Sequence, residues 1–238
     1  MCAFNGFARC AITSSNLTAP TIISNFRILT AACGMEKQYQ LLVQLSSIVK
    51  PLDLTTLFPK TQPLEVELGC GDASFIAEYA RCQPAINLLG VERLLGRIQK
   101  LHRKGSQLGL TNLRGVRIES AYFLQYLLPP HAAAALHIYF PDPWPKKKHR
   151  RHRLINEGFP ALARLALAPG GTVFLRTDDA DYFQQMNEVF TAAKEFAPVE
   201  TPPTLAEITT DFERGFNAQG IPTLLAAYQL KGFMKNGE

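Results

Sequence analysis

Leu64-Glu65-Val66-Glu67-Leu68-Gly69-Cys70-Gly71, followed by the helical stretch Ser74–Cys82, decides the fold of this 238-residue chain. Residues 64–68 read as a short apolar strand. The two glycines permit a tight turn and a close approach of ligand to backbone. Phe75, Ile76, Tyr79 and Ala80 then recur at helical spacing on one face. Strand, glycine turn and helix in that order open a βαβ unit.

The same alternation continues downstream. Residues 85–91, 112–118, 136–140 and 172–176 read as further strands. Residues 94–108, 154–167 and 182–194 read as helices, the second stopped by Pro169-Gly170-Gly171. Residues 223–230 form a last apolar run, expected as an antiparallel strand. Strands alternating with long helices predict an α/β fold with a mostly parallel sheet, covered by helices on both faces.

Composition agrees with that class. Hydrophobic residues make up 47% of the chain and charged residues 19%, which excludes a disordered polyelectrolyte. No apolar run approaches the ~20 residues of a membrane span. The five cysteines are odd in number and form no CxxC pair, which argues against a disulfide framework or a zinc ribbon and for a reducing, cytoplasmic setting. Residues 1–34 hold no acidic residue and only Arg9 and Arg27 as cations. They read as a transit-like or spurious extension ahead of Met35, with 35–63 as a lead-in and 64–238 as the functional domain.

The net charge of +5 is local. Residues 146–153 contain six of the 25 Lys and Arg residues, and without them 19 basic residues face 20 acidic ones. A confined basic run points to a polyanionic partner.

In a parallel sheet, ligands bind beyond the carboxyl ends of the strands. Gly69 and Gly71 follow the first strand. Glu92 ends the second, 21 residues past Gly71, at the place where a carboxylate meets ribose hydroxyls. Glu119-Ser120 ends the third. Acids at consecutive strand ends after a glycine turn suit a nucleoside-containing ligand. The third glycine of a dinucleotide fingerprint is absent, since Ser74 stands there, which speaks against a nicotinamide-dependent oxidoreductase. After the fourth strand comes Phe140-Pro141-Asp142-Pro143-Trp144-Pro145-Lys146, which includes the only tryptophan. Three prolines stiffen this segment around one acid and one aromatic ring, directly before the basic run. A purely RNA-binding protein would use the Trp and the cations but has no need of the strand-end acids. An enzyme that methylates amino groups would carry Pro-Pro and an aromatic directly after the acid. Ser/His/Asp and Cys/His arrangements are absent. His131 and His137 read as ordinary loop and strand residues, and Cys70 as a small filler.

Glu67-x-Gly69-x-Gly71 resembles the first motif of class I S-adenosylmethionine-dependent methyltransferases. The Phe140–Lys146 stretch, Arg176-Thr177-Asp178 and Thr210-Asp211-Phe212-Glu213-Arg214 resemble the tRNA (guanine-N7)-methyltransferases that modify guanine 46 of the variable loop. The resemblance runs from about residue 64 to about 233. It implies a Rossmann-like class I methyltransferase fold with a seven-stranded sheet. It implies S-adenosylmethionine as methyl donor, no metal, and tRNA as partner, with the enzyme a monomer or homodimer. Residue by residue, it implies that Glu67, Gly69, Gly71, Glu92, Glu119 and Asp142 contact the methyl donor, with Asp142 as the active-site acid. It further implies that Lys146, Asp178, Thr210, Asp211, Phe212 and Glu213 bind the tRNA. The family commonly has Asp-Ala where this chain has Glu119-Ser120, and His where Pro145 stands.

Overall fold

The computed structural model describes residues 40–232, which belong to one compact unit. Residues 1–34 lie outside the described residues. Fifteen strands and helices follow in chain order. They are β1 (Leu42–Val43), β2 (Leu64–Leu68), α1 (Ser74–Cys82), β3 (Asn87–Val91), α2 (Leu95–Gln107), β4 (Leu113–Val116), α3 (Ser120–Tyr122), β5 (Ala133–Tyr139), α4 (Phe159–Ala166), β6 (Leu167–Thr177), α5 (Ala180–Ala192), β7 (Phe196–Val199), α6 (Pro203–Ala206), α7 (Asp211–Asn217) and β8 (Leu224–Leu230). Short 3₁₀ turns occupy Leu54–Thr56 and Lys147–His152, and α3 runs on as a wider helical turn through Leu127.

One sheet has the order β1-β4-β3-β2-β5-β6-β8-β7, parallel except for β8, which is antiparallel to β6 and β7. The resemblance implied seven strands, six of which the sequence reading located; eight are found, and the two without a reading are the edge strands β1, two residues long beside β4, and β7. Every residue of β3 is buried, as a strand covered on both faces requires. The packing of α2 on β3 is tight at Gly90, where a Cβ would lie 2.5 Å from Leu101 and 2.9 Å from the Cys70 sulfur. Among the described residues no helix is long and apolar enough to cross a membrane.

Sequence and structure differ at three places for identifiable reasons. The helix expected from residue 154 begins at Phe159. Asn156 closes a turn through its side chain, which accepts from the Gly158 N–H at 3.0 Å, and Pro160 sits in the first helical turn. The strand expected at 172–176 reaches back to Leu167, and Pro169-Gly170-Gly171 becomes an excursion within it. The register jumps there from Ala133↔Leu167 to Ala135↔Thr172. Strand β7 had no sequence reading because Pro198 interrupts it. At the sheet edge a missing N–H is tolerated.

Candidate active site

The strand order reverses at β2, with β3 on one side and β5 on the other, so the crevice opens above the carboxyl ends of these strands. Two adjoining cavities occupy it, of about 480 and 280 Å³. They share Gly69, Arg97, Tyr139, Phe140, Pro141 and Asp142. Their sizes fall around the lower end of the usual range for small-molecule sites. A larger, shallower depression of about 600 Å³ lies along α5, lined by Phe183, Asn187, Thr191 and Leu224 and by none of the strand-end acids.

The glycine turn is built for close approach. Gly69 and Gly71 have φ of +79° and +53°, a region that costs other residues energy, and a Cβ at Gly69 would meet nothing within 4 Å. Glu92 closes the turn from β3. One of its oxygens accepts from the Gly71 N–H at 3.2 Å and the other from the Leu94 N–H at 2.7 Å. Each oxygen keeps a lone pair for an outside donor.

Glu67 is the most unusual group in the crevice. It is 4% exposed, lines the smaller cavity, and its Oε2 has no hydrogen-bond partner. Burial pushes its carboxyl up to about 8, Arg176 opposes that, and Asp72 and Glu92 add to it. A buried acceptor without a donor, above an open glycine turn, fits a ligand that brings its own donors and a positive charge. Cys70, between the glycines, is buried, and burial pushes its thiol up, which makes it an inert filler.

Glu119 faces the larger cavity, but it also caps α3. Its two oxygens accept from the Ala121 N–H at 2.9 Å and the Tyr122 N–H at 2.7 Å. Contact with a nucleobase falls to its remaining lone pairs.

Asp142 lies where the two cavities meet. Its loop is held in an unusual shape. Phe140 and Trp144 have φ of +50° and +43°, rare for large side chains, and the Phe140 N–H donates to the Arg176 carbonyl at 2.8 Å. Arg153 holds the far end of the loop. Its Nε donates to the Pro143 carbonyl at 2.6 Å, its Nη1 to Gln185 at 2.7 Å and its Nη2 to Asp181 at 2.7 Å. Its guanidinium carbon also lies 4.6 Å from the centre of the Tyr182 ring. Trp144 is 38% exposed at the cavity rim, 5.2 Å between ring centres from His152.

The basic run is therefore not uniform. Arg153 is internal, and Arg150 is bound to Asp181 at 2.5 Å. Lys146, Lys148 and Arg151 remain exposed.

The 210–213 segment divides in the same way. Thr210 and Glu213 are buried and cap α7 reciprocally, the Thr210 hydroxyl accepting from the Glu213 N–H at 2.9 Å. The Glu213 carboxylate also pairs with Arg176 at 3.0 Å. Asp211 and Phe212 are exposed, Phe212 lining the smaller cavity together with the half-buried Asp178. Arg176 ties this segment to the sheet. It donates to the Leu205 and Ile208 carbonyls at 2.5 and 2.8 Å and lies 4.3 Å above the Tyr139 ring. A second tie joins α7 to the glycine turn, where the Asp211 N–H donates to Ser74 at 3.0 Å and Lys104 reaches Asp72 at 3.4 Å and Asp211 at 3.7 Å. Burial disfavours the charge of Asp72, but hydrogen bonds with Asp211 and Ser74 and the nearby Lys104 prevail and hold it at about 2.

Sequence reasoning had no signal for Tyr139, which lines both cavities, or for the internal role of Arg153. His137, read as an ordinary strand residue, is fully buried between Glu65 at 2.7 Å and the Tyr139 hydroxyl at 2.9 Å.

A family model described as a putative methyltransferase matches residues 61–224. Curated relatives include the tRNA (guanine-N(7)-)-methyltransferase of Syntrophotalea carbinolica, 38% identical over 136 residues, covering 57% of this chain and 59% of the relative. That of Geobacter metallireducens is 36% identical over 152 residues, covering 64% and 72%. That of Chromohalobacter salexigens is 35% identical over 170 residues, covering 68% and 69%. The matches thus span only part of these relatives' length. Among solved structures, the 16S rRNA methyltransferase KamB superposes with a TM-score of 0.55 at 14% identity, covering 76% of this chain and 95% of that one. The [4+2]-cyclase SpnF does so with a TM-score of 0.51 at 12% identity, covering 73% and 77%. The fold therefore hosts more than one chemistry, and the reaction must be argued from the site.

Proposed function

The chain belongs to the methyltransferase family matched over residues 61–224, and from that premise we propose that it methylates N7 of a guanine in tRNA, guanine 46 of the variable loop, with S-adenosylmethionine as methyl donor. The observation that carries this reading is the place of Asp142, at the junction of two cavities. One cavity is lined by the strand-end acids Glu92 and Glu119, the other by Asp178, Thr210 and Phe212.

When bound, S-adenosylmethionine supplies an electrophilic methyl group on a sulfonium. Glu92 offers its remaining lone pairs to ribose hydroxyls, and Glu67 offers its unpartnered oxygen to a donor of the ligand's charged end. Guanine N7 has an in-plane lone pair and no proton, so no residue need act as a base on it. The work of the chain is alignment and charge stabilisation. Asp142, fixed between Pro141 and Pro143, accepts hydrogen bonds from the N–H groups of the guanine and offsets the positive charge that grows on the ring. The strained backbone at Phe140 is the cost of aiming that carboxylate. Phe212 and Trp144 offer apolar faces to bases near the two cavities, and Lys146, Lys148 and Arg151 face the phosphates.

The test is to incubate the protein with methyl-labelled S-adenosylmethionine and total tRNA and to identify the labelled nucleoside. N7-methylguanosine is expected, and label in any other nucleoside, or none, refutes the proposal.

A further inference from the structure

We propose that helix α2 is a second phosphate-binding surface, gripping the RNA strand on the side of the cleft opposite the basic run. Within α2, Leu95–Gln107, there is no acidic residue, and Arg97, Lys100 and Lys104 follow at i, i+3 and i+7. That spacing places the three cations on one stripe, spread over about 10 Å of helix. The stripe is not the packed face, which Ile98, Leu101 and Gly105 occupy. It flanks that face on the cleft side. Arg97 lines both cavities, and Lys104 touches Asp72 at the glycine turn and Asp211 of α7. Arg93, just ahead of the helix, lines the larger cavity as well.

Three observations make this a surface for a polyanion. First, Arg93, Arg97 and Lys100 are exposed and form no ion pair with any described carboxylate, whereas Arg150 and Arg153 of the basic run are held by Asp181. Second, Arg97 stands in the first turn of α2, where the helix dipole disfavours a cation, so it contributes nothing to the helix that an acid would not do better. Third, the larger cavity has Arg93 and Arg97 on one wall and Trp144 and His152 on the other. An RNA strand crossing the mouth of this cavity, above a methyl donor held at Glu92, meets the cations on one rim and the Trp144 and His152 rings on the other. The occupant is an RNA phosphodiester strand, an assignment that rests on the reading of the chain as a tRNA methyltransferase.

The experiment measures binding of a tRNA transcript by fluorescence anisotropy from 0.05 to 0.3 M salt, for the wild type, Arg97→Gln/Lys100→Gln and Arg103→Gln. Arg103 is exposed on the same helix, about 120° around the axis from Arg97, and lines neither cavity. Each phosphate contact contributes about 0.7–0.9 to the slope of log K against log salt. The double variant should lose about 1.4–1.8 from that slope, and roughly 15- to 30-fold in affinity at 0.15 M salt. Arg103→Gln should stay within twofold of the wild type. An unchanged slope in the double variant overturns the proposal, as does an equal loss per cation in Arg103→Gln, which would reflect net charge alone. A matching loss in S-adenosylhomocysteine affinity overturns it too, by making Arg97 a ligand of the methyl donor. Wild type that labels guanine N7 while the double variant keeps its slope removes the α2 surface and leaves the enzymatic reading intact. Wild type that neither binds nor methylates tRNA removes both.

Discussion

Glu67 makes the affinity for the methyl donor depend on pH in a calculable way. Its carboxyl sits at about 8 without ligand, because it is buried and its Oε2 has no donor. About 3% of it is ionised at pH 6.5 and about 75% at pH 8.5. A ligand whose cationic end is held by the ionised form binds in proportion to that fraction, so affinity should rise about 25-fold across this range. Near pH 7, binding should release about 0.9 proton from this group. The ligand's own amino group titrates in the same region. Glu67→Gln retains that contribution and loses the carboxyl, so the ratio of wild type to variant isolates Glu67. The assay is calorimetry with S-adenosylhomocysteine at pH 6.5, 7.5 and 8.5, in pairs of buffers with different ionisation enthalpies. A wild-type affinity that follows the variant at every pH, with equal proton release, refutes the assignment of Glu67 to the ligand's charged end.

Three further outcomes are expected. Glu67→Gln should stabilise the unliganded protein, and more so at pH 8 than at pH 5. The native carboxyl keeps a proton up to about 8 that the unfolded chain gives up near 4.5, so the wild type loses stability as pH rises between these values, by at most about 5 kcal/mol. Calorimetric melting with a gap that does not widen toward pH 8 contradicts this. Asp142→Asn should slow single-turnover methylation at saturating S-adenosylmethionine by roughly 10²-fold or more. The wild-type rate should be nearly flat from about pH 6.5 to 8.5, since N7 carries no proton. A tenfold rise per pH unit that the variant abolishes would instead identify a general base and an amino or hydroxyl acceptor. Arg153→Ala should cost about 2–4 kcal/mol in urea unfolding, by removing charge-assisted bonds from a buried side chain. It should also shift the emission of Trp144, the only tryptophan, as the proline loop loosens; unchanged emission and stability would make Arg153 a surface cation.

Much of the fold was legible because it rests on local pattern. Helix α1 lies within the bounds its apolar spacing predicts, and the glycine turn follows β2 directly. The antiparallel β8 differs from its expected range by one residue. Such features are set by neighbours in the chain, through the period of the apolar residues and the conformational freedom of glycine. The acids at the ends of β2, β3 and β4 were legible for the same reason, since in a parallel sheet the end of a strand is also the edge of the crevice.

By itself, then, the sequence determined the alternation of the central strands and long helices, the glycine turn and which carboxylates reach the crevice. Tertiary structure alone decided which charged residues stay free to meet a ligand. Arg153 and Lys148 look alike in a basic run, yet one is sealed between Pro143, Gln185 and Asp181 and the other is exposed. Glu213 reads as a surface acid of a substrate motif, yet it is shared between the α7 cap and Arg176, 37 residues away. Glu67 and Glu92 are both buried strand-end acids, but backbone N–H groups satisfy only Glu92, which leaves Glu67 with a lone oxygen and a raised pKa. Desolvation and the supply of donors depend on which distant segments pack around a side chain, and a linear pattern holds no record of that.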